Sequence, residues 1–368
     1  MKFQTNINTL QDGIKKVLKV LPKKMTLPIL EELYITTKNN FIKLMAFDFE
    51  SAIIVELDGN VFETGKTLID QETIKLINKI KGNDIVTFED GKITINKKEI
   101  NYNSSHDPEE YPEIDSLNKC NIHTFTTTEK ELTELLSVKY ASGVDESRPV
   151  FMSVVINKDY IMATDTYRIA RKKIPFENNI TEEYILSLKS VESFYGLLDL
   201  NKKENKKVEM YTSEKNEDKF VMFKTDDVKF FVRRREGKYI DVEAVWAKEF
   251  KANVKVSKKE LVEEINFASG LSGLKSLYFN QNGSKDEMIL KIIPSPKDEK
   301  GREVKRNVKN IETKLKCNTE GEFNQFVLRY EFVLDAIKNT QDDDIIFSLT
   351  GEYGMVIVNE EDLIMPIK

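Results

Sequence analysis

Apolar and polar positions change period near the start of the chain. After a short stretch around Phe3, Leu10, Ile14, Val17, Leu18 and Leu21 fall on one side of a 3.6-residue wheel. Lys15, Lys16 and Lys19 fall on the other, and Pro22 ends the run. The pattern predicts a strand followed by a helix over about 9–21. It recurs twice: Phe125 stands seven residues before Leu132 and Val254 seven before Leu261, as Phe3 stands before Leu10. The second and third helices begin with capping boxes, Thr128 with Glu131 and Ser257 with Glu260. In such a box the hydroxyl satisfies one orphan N–H and the carboxylate reaches back to another.

Each copy continues with a second helix and hairpins. "DQETIKLINKIK" (70–81) sets Ile74, Leu76, Ile77 and Ile80 against Lys75 and Lys79, and alternating residues follow around an Asp90-Gly91 turn signal. "SVESFYGLLDL" and "RYEFVLDAIKNT" precede similar hairpins in the later copies. The leucine spacings, 122 residues from Leu10 to Leu132 and 129 from Leu132 to Leu261, are of domain size. They predict three tandem similar domains near residues 1–120, 121–250 and 251–368. Each reads as two β-α-β-β-β units, an α+β fold with helices on one side of antiparallel sheets. A finer echo supports the repeat. Pro28 and Pro149 each precede an apolar run, and a later apolar run closes on Met-Ala-x-Asp at Asp48 and at Asp165.

Composition narrows the class. A chain of 368 residues, 40% hydrophobic and 32% charged, suits a soluble protein of two or three ordinary domains. No apolar run approaches membrane-spanning length and the first ten residues lack an apolar signal core, so a cytoplasmic location without a membrane partner is expected. Cys120 and Cys317 read as buried thiols in a reducing compartment. With only His106 and His123 beside them, no metal-ligand spacing exists, and neither a metal nor another cofactor is expected.

Catalytic patterns fail on inspection. "GLSGLKS" (270–276) has the wrong glycine spacing for a phosphate loop and follows a helix, so its glycine reads as a helix stop. The acidic runs "HDPEEYPEIDS" and "QDDDII" read as loops, where metal-dependent hydrolysis would need converging carboxylates. Asp48 and Asp165, at matched positions, are expected to anchor turns by accepting from backbone amides. No catalytic residue is expected.

The charge is distributed unevenly. The formal net charge is −6, yet the exposed side of the first helix carries Lys15, Lys16 and Lys19, with Lys23 and Lys24 just beyond it, and the second carries Lys75 and Lys79. In the later domains Lys130, Lys139, Arg148, Lys189, Lys202, Lys203, Lys258, Lys259, Lys275, Arg329 and Lys338 are mixed with Glu129, Glu134, Glu263 and Glu264. Any one such lysine fits an ordinary solvated helix face. Taken together, basic helix faces on an acidic chain fit a phosphate-bearing partner held without base reading.

Five segments in order carry a family resemblance: "KKMTLPILEELYI", "DESRPVFMSVVI", "MATDTYRIA", "REGKYIDVEAV" and the closing "LIMPIK". With three tandem domains and basic helix faces, the chain resembles the bacterial sliding clamps, the beta subunits of DNA polymerase III, over essentially its whole length. The resemblance implies the DNA-clamp fold, with helices lining a pore and sheets outside. It implies a homodimer closing head to tail into a ring around double-stranded DNA, with no sequence preference. The implied role is that of a non-catalytic processivity factor in DNA replication. Implied partners are the replicative DNA polymerase, a clamp loader, and other polymerases and repair proteins bearing clamp-binding peptides.

The resemblance also implies a hydrophobic peptide cleft. Its positions here are Phe151, Thr164, Thr166, Tyr167, Arg168, Ile169, Val245, Leu363, Met365, Pro366 and Ile367, with Arg168 on the rim. Ile169 and Val245 fit ordinary core equally well. For DNA, the resemblance favours Lys24 and Arg148, while Lys15, Lys19, Lys23, Lys75 and Lys79 rest on the wheel alone. The chain departs from the family pattern at Ile240 and Val242, where Pro and Tyr are common, and at Thr166 and Tyr167. A clamp-fold peptide adaptor that does not encircle DNA, and a metal-dependent phosphoesterase using the acidic loops, are the rival readings.

Overall fold

The computed structural model describes residues 1–38, 41–89, 91–112, 119–198, 205–213, 220–268, 275–296, 302–303 and 308–367, without the side chain of Lys275. Asp90, Lys202, Lys203, Lys275 as a charged group and most of the 270–276 glycine segment therefore lie outside the described residues. The α-helices are α1 (Ile7–Val17), α2 (Gln71–Asn78), α3 (Glu129–Leu135), α4 (Leu188–Leu198), α5 (Val242–Val245), α6 (Lys258–Phe267) and α7 (Tyr330–Asn339). None of these helices is long and apolar enough to cross a membrane. Strands dominate the rest, an α+β architecture.

Caps fix where each copy begins. The side chains of Asn6, Thr128 and Ser257 accept from the amides of Asn8, Glu131 and Glu260, opening α1, α3 and α6 directly after a strand. The box at Thr128 is made on one side only, because the Glu131 carboxylate takes the Thr127 hydroxyl instead. Asn6 caps α1 earlier than the wheel places it, and the helix ends at Val17. Leu18 then lies beyond its end and is 43% exposed. Leu76, also placed on the apolar side, is 49% exposed, because the short α2 buries only Thr73, Ile74 and Ile77.

The chain divides into two units. The first comprises Met1–Leu136, Val155–Asp159 and Ile174–Glu236. It holds a five-stranded sheet in the order Asn60–Glu63, Lys2–Asn6, Ile85–Glu89, Lys92–Ile95, Lys98–Asn101. An eight-stranded sheet runs Ile122–Thr128, Lys207–Thr212, Phe220–Lys224, Val228–Arg233, Ser51–Leu57, Phe41–Phe47, Leu33–Lys38, Gly65–Ile69. Phe3, Leu10, Ile14 and Phe88 are fully buried, and the rings of Phe3 and Phe88 stack at 4.5 Å. Gly13 lets α1 lie close on this sheet: a Cβ there would stand 2.5 Å from Leu57 Cδ2.

The second unit comprises Ser137–Val154, Tyr160–Lys173 and Gly237–Lys368. Its sheet strands run Tyr160–Thr164, Arg168–Lys173, Asp362–Ile364, Val356–Val358, Asp344–Leu349, Ala252–Ser257, Ile311–Gly321, Glu287–Pro294, Lys275–Gln281, Gln325–Arg329. Phe279, Phe326 and Phe347 cluster with ring centroids 4.6 to 5.5 Å apart at the centre of its core.

One connection appears once in each unit. The strand after the Asp48 turn, Ser51–Leu57, pairs antiparallel with Val228–Arg233, Phe230 opposite Ile53. The strand after the Asp165 turn, Arg168–Lys173, pairs antiparallel with Asp362–Ile364, Ile169 opposite Leu363. Both aspartates anchor their turns as expected: Asp48 Oδ1 accepts from Ser51 N at 2.7 Å, and Asp165 Oδ1 from Arg168 N at 3.0 Å.

Candidate functional site

The residues assigned to the cleft lie in the second unit, most of them around the Asp165 turn and Val245 on the separate short helix α5. Tyr160–Thr164 and Arg168–Lys173 form a hairpin, and fully buried Thr164 closes its end. The Thr164 hydroxyl donates to the Arg168 carbonyl at 2.6 Å and accepts from the Thr166 amide at 3.0 Å. Thr166 sits at φ +78°, a left-handed conformation that costs a β-branched residue strain. The turn holds it there and exposes Thr166 and the ring of Tyr167. The chain's last residues lie alongside. Met365 N donates to Tyr167 O and Ile367 N to Val327 O, each at 2.9 Å, which ties the segment both to the turn and to the strand Gln325–Arg329.

The exposed apolar groups are Tyr167 at 56%, Met365 at 44% and Val245 at 43%, with Phe151, Pro366 and Ile367 half-buried. Ile169 and Leu363, paired in register, are buried beneath them. Phe151 packs 6.1 Å from Tyr239, and its carbonyl accepts from Gly143 N at 2.8 Å. Such a surface, aromatic and aliphatic with a flexible thioether, suits a short apolar peptide.

Arg168 is not a rim group. Its side chain is only 11% exposed, and each of the three guanidinium nitrogens makes a hydrogen bond. Nε bonds Asp165 at 3.0 Å, one terminal nitrogen bonds Asp335 of α7 at 2.6 Å, and the other bonds the Tyr140 carbonyl at 2.6 Å. It also lies 4.4 Å from the Phe332 ring. A planar fork with several donors satisfies these partners at once, which a lysine could not do. Arg168 therefore holds the turn that presents Tyr167.

Behind it the Tyr140 hydroxyl donates to Asp362, the residue opposite Ala170 in the register. Burial pushes the Asp362 carboxyl up to about 7, against the opposing pull of Tyr140, Arg168 and Lys172. Burial likewise raises the Tyr140 hydroxyl well above its usual range. Tyr140, Asp335 and Asp362 carry no sequence signal of their own, since each matters only through a partner far away in the chain.

The basic residues are more scattered in role. Lys15, Lys23, Lys24, Lys75 and Lys79 are exposed in the first unit and form no ion pair among the described residues. Lys19 is half-buried, its Nζ 3.1 Å from where a Cβ on Gly196 would stand. Lys16 is taken up by Asp227 and Lys189 by Asp48. In the second unit Arg148 is exposed, Lys258 donates to the Thr340 carbonyl at 2.7 Å, and Arg329 lies 5.0 Å from the Tyr167 ring. No group of three metal-ligating side chains converges among the described residues.

Comparison with known proteins agrees with this geometry. Residues 1–115 match the family of the DNA polymerase III beta subunit, N-terminal domain. The beta sliding clamp of Halalkalibacterium halodurans is 24% identical, the match covering 98% of this chain and 96% of the relative. The sliding clamp of Bacillus subtilis superposes with a TM-score of 0.85 at 21% identity, over 100% of this chain and 99% of that one. A sliding clamp of Bartonella birtlesii solved bound to griselimycin superposes with a TM-score of 0.85 at 16% identity, over the whole of both chains. The chain thus carries the bacterial sliding-clamp fold from end to end, and its first 115 residues match the N-terminal domain of the DNA polymerase III beta subunit.

Proposed function

We propose that this protein is a processivity clamp, a homodimeric ring that encircles duplex DNA and tethers the replicative polymerase through the cleft around Tyr167. The observation that carries this reading is the repeated junction. Where the first copy meets the second, Arg233 N donates to Glu50 O at 2.8 Å, and Arg235 N to Ile185 O at 2.8 Å. Where the second meets the third, Met365 N and Ile367 N make the corresponding bonds to Tyr167 O and Val327 O. In both places the second helix of the later copy bonds the turn or strand of the earlier one, by Ser190 to Ser51 and by Asp335 to Arg168. This repetition supports the division into three domains near 1–120, 121–250 and 251–368.

Among the described residues, two edges stand at the strand positions that a third junction would use. Lys98–Asn101 ends the five-stranded sheet. Residues 311–316 hold the place of Ser51–Leu57 and Arg168–Lys173, and among the described residues no strand pairs with their outer side. Exposed Leu76 on α2 and Phe267 at the end of α6, 49% and 74% exposed, stand on the helices that would meet there. An unpaired strand edge beside an uncovered apolar pair favours association. A second copy supplies both complements, and two such junctions close a ring. Lys15, Lys23, Lys24, Lys75 and Lys79 would then hold phosphates weakly enough to slide. The cleft would take apolar peptides of polymerases, a clamp loader and repair proteins, and would bind griselimycin. The proposed role requires no catalytic residue in the chain.

Sedimentation gives the mass in solution, and retention on nicked circular DNA before and after linearisation tests encirclement. A dimer lost from linear DNA supports the ring. A monomer, or retention indifferent to linearisation, would leave a peptide-binding adaptor that does not encircle DNA.

A further inference from the structure

The cleft wall bearing Val245 is a single turn of helix, α5, too short to hold its shape alone. Asp241 caps it, accepting from Ala244 N at 3.1 Å, but a cap does not fix where the turn sits on the protein. Two tertiary ties do. Before the turn, buried Tyr239 packs against Phe151. On and after it, Glu243 and Trp246 are both gripped by Arg171. The guanidinium bonds Glu243 Oε1 at 2.7 Å and lies 3.4 Å from the centre of the Trp246 ring and 4.5 Å from that of Tyr160. Arg171 is only 9% exposed, so its charge is stabilised by these partners rather than by bulk water.

Arg171 belongs to the strand that carries Ile169, and along a strand residues two apart share a face. The same strand thus supplies the floor of the cleft and the clamp on its wall. We propose that Arg171 is the positioning residue of the peptide cleft: by stacking on Trp246 and pairing with Glu243 it sets α5, and hence Val245, at the separation from Ile169 and Met365 that an apolar peptide needs. The proposal rests on the reading of this surface as a peptide cleft. Lysine would keep the pairing with Glu243 but lose the flat stacking surface, so the interaction is specific to arginine.

The chain contains one tryptophan, and it is Trp246, so its emission reports on this contact without interference. The test measures that emission together with griselimycin affinity by calorimetry, in the native full chain and in Arg171→Ala, Arg171→Lys, Glu243→Gln and a control, Phe347→Leu, in the core away from the cleft. Arg171→Ala is expected to shift the emission to the red and weaken griselimycin on the order of tenfold. Arg171→Lys should recover only part of that loss. Glu243→Gln, a milder change at a largely exposed carboxylate, should move both readouts in the same direction and keeps the test open if Arg171→Ala does not fold. Phe347→Leu should lower the melting temperature and leave affinity and emission unchanged. Native-like affinity in the Arg171 and Glu243 variants, or an equal loss in Phe347→Leu, would overturn the positioning role while leaving the cleft in place. Failure of the native chain to bind griselimycin would instead overturn the cleft reading, and the positioning role with it.

Discussion

The backbone amide of Met365 donates to the carbonyl of Tyr167 at 2.9 Å, joining the 365–367 segment to the turn that presents the exposed ring of Tyr167. The equivalent bond earlier in the chain runs from Arg233 to Glu50 at 2.8 Å. The scaffold is the same, but arginines stand where Met365, Pro366 and Ile367 stand in the second unit, and Glu50 stands where Tyr167 does. One backbone arrangement thus carries an apolar surface in one place and a charged one in the other, and only the apolar one suits a hydrophobic peptide.

Met365 is nearly half exposed, so its side chain contributes little to the folded core. Met365→Glu should leave the melting temperature nearly unchanged and weaken griselimycin binding by roughly tenfold or more, through a desolvated charge against an apolar ligand. Calorimetry beside a thermal scan checks both halves.

The carboxyl of Asp362 gives a pH dependence whose sign is fixed by its burial. Its folded pKa, about 7, lies above its ordinary value of 3.8, so the folded chain holds this proton more tightly than the unfolded one. The stability from this group is fully present below about pH 4, erodes as pH rises towards 7, and is gone above that. Asp362→Asn, which cannot titrate, should flatten this slope, with the variant gaining on the native protein towards pH 8. Melting temperatures of both from pH 4 to 8 test it, and parallel curves would show that Asp362 does not titrate in this window.

Phe88 stacks on Phe3 beneath the first sheet and is fully buried. Phe88→Ala should cost the first unit about 3–5 kcal/mol. Hydrogen exchange should show the loss in Lys2–Asn6 and Ile85–Glu89, with the Phe279 cluster of the second unit still protected.

Phe267 is 74% exposed at the end of α6. If it lies at the junction between two copies, Phe267→Lys should raise the dimer dissociation constant with no loss of thermal stability in the isolated chain. Sedimentation over a dilution series measures this, and an unchanged dissociation constant would place the junction elsewhere.

Lys23, Lys24, Lys75 and Lys79 are exposed and carry no ion pair among the described residues. Replacing each by Gln should shorten retention on circular DNA and reduce the salt dependence by about one unit of slope for every phosphate no longer neutralised. Lys16→Gln should change that slope less, because Asp227 already neutralises this lysine.

The sequence alone determined the repeat, because the features that mark it are local. A cap at Thr128 or Ser257, a leucine seven residues after a strand phenylalanine or valine, and an aspartate closing a strand at Asp48 or Asp165 act over a few residues, and each appears in the structure where the pattern put it. The proposed cleft was legible only as a resemblance in short segments. What only the tertiary structure decided is which charged groups are spent and which are free. Arg168 and Asp335 are 167 residues apart, Lys16 and Asp227 are 211 apart, and Arg171 and Glu243 are 72 apart. The worth of a charge depends on its burial and on what faces it. The same holds for Leu76 and Phe267: a helical wheel gives the direction of an apolar side chain, but whether anything covers it depends on how distant strands and helices close around it.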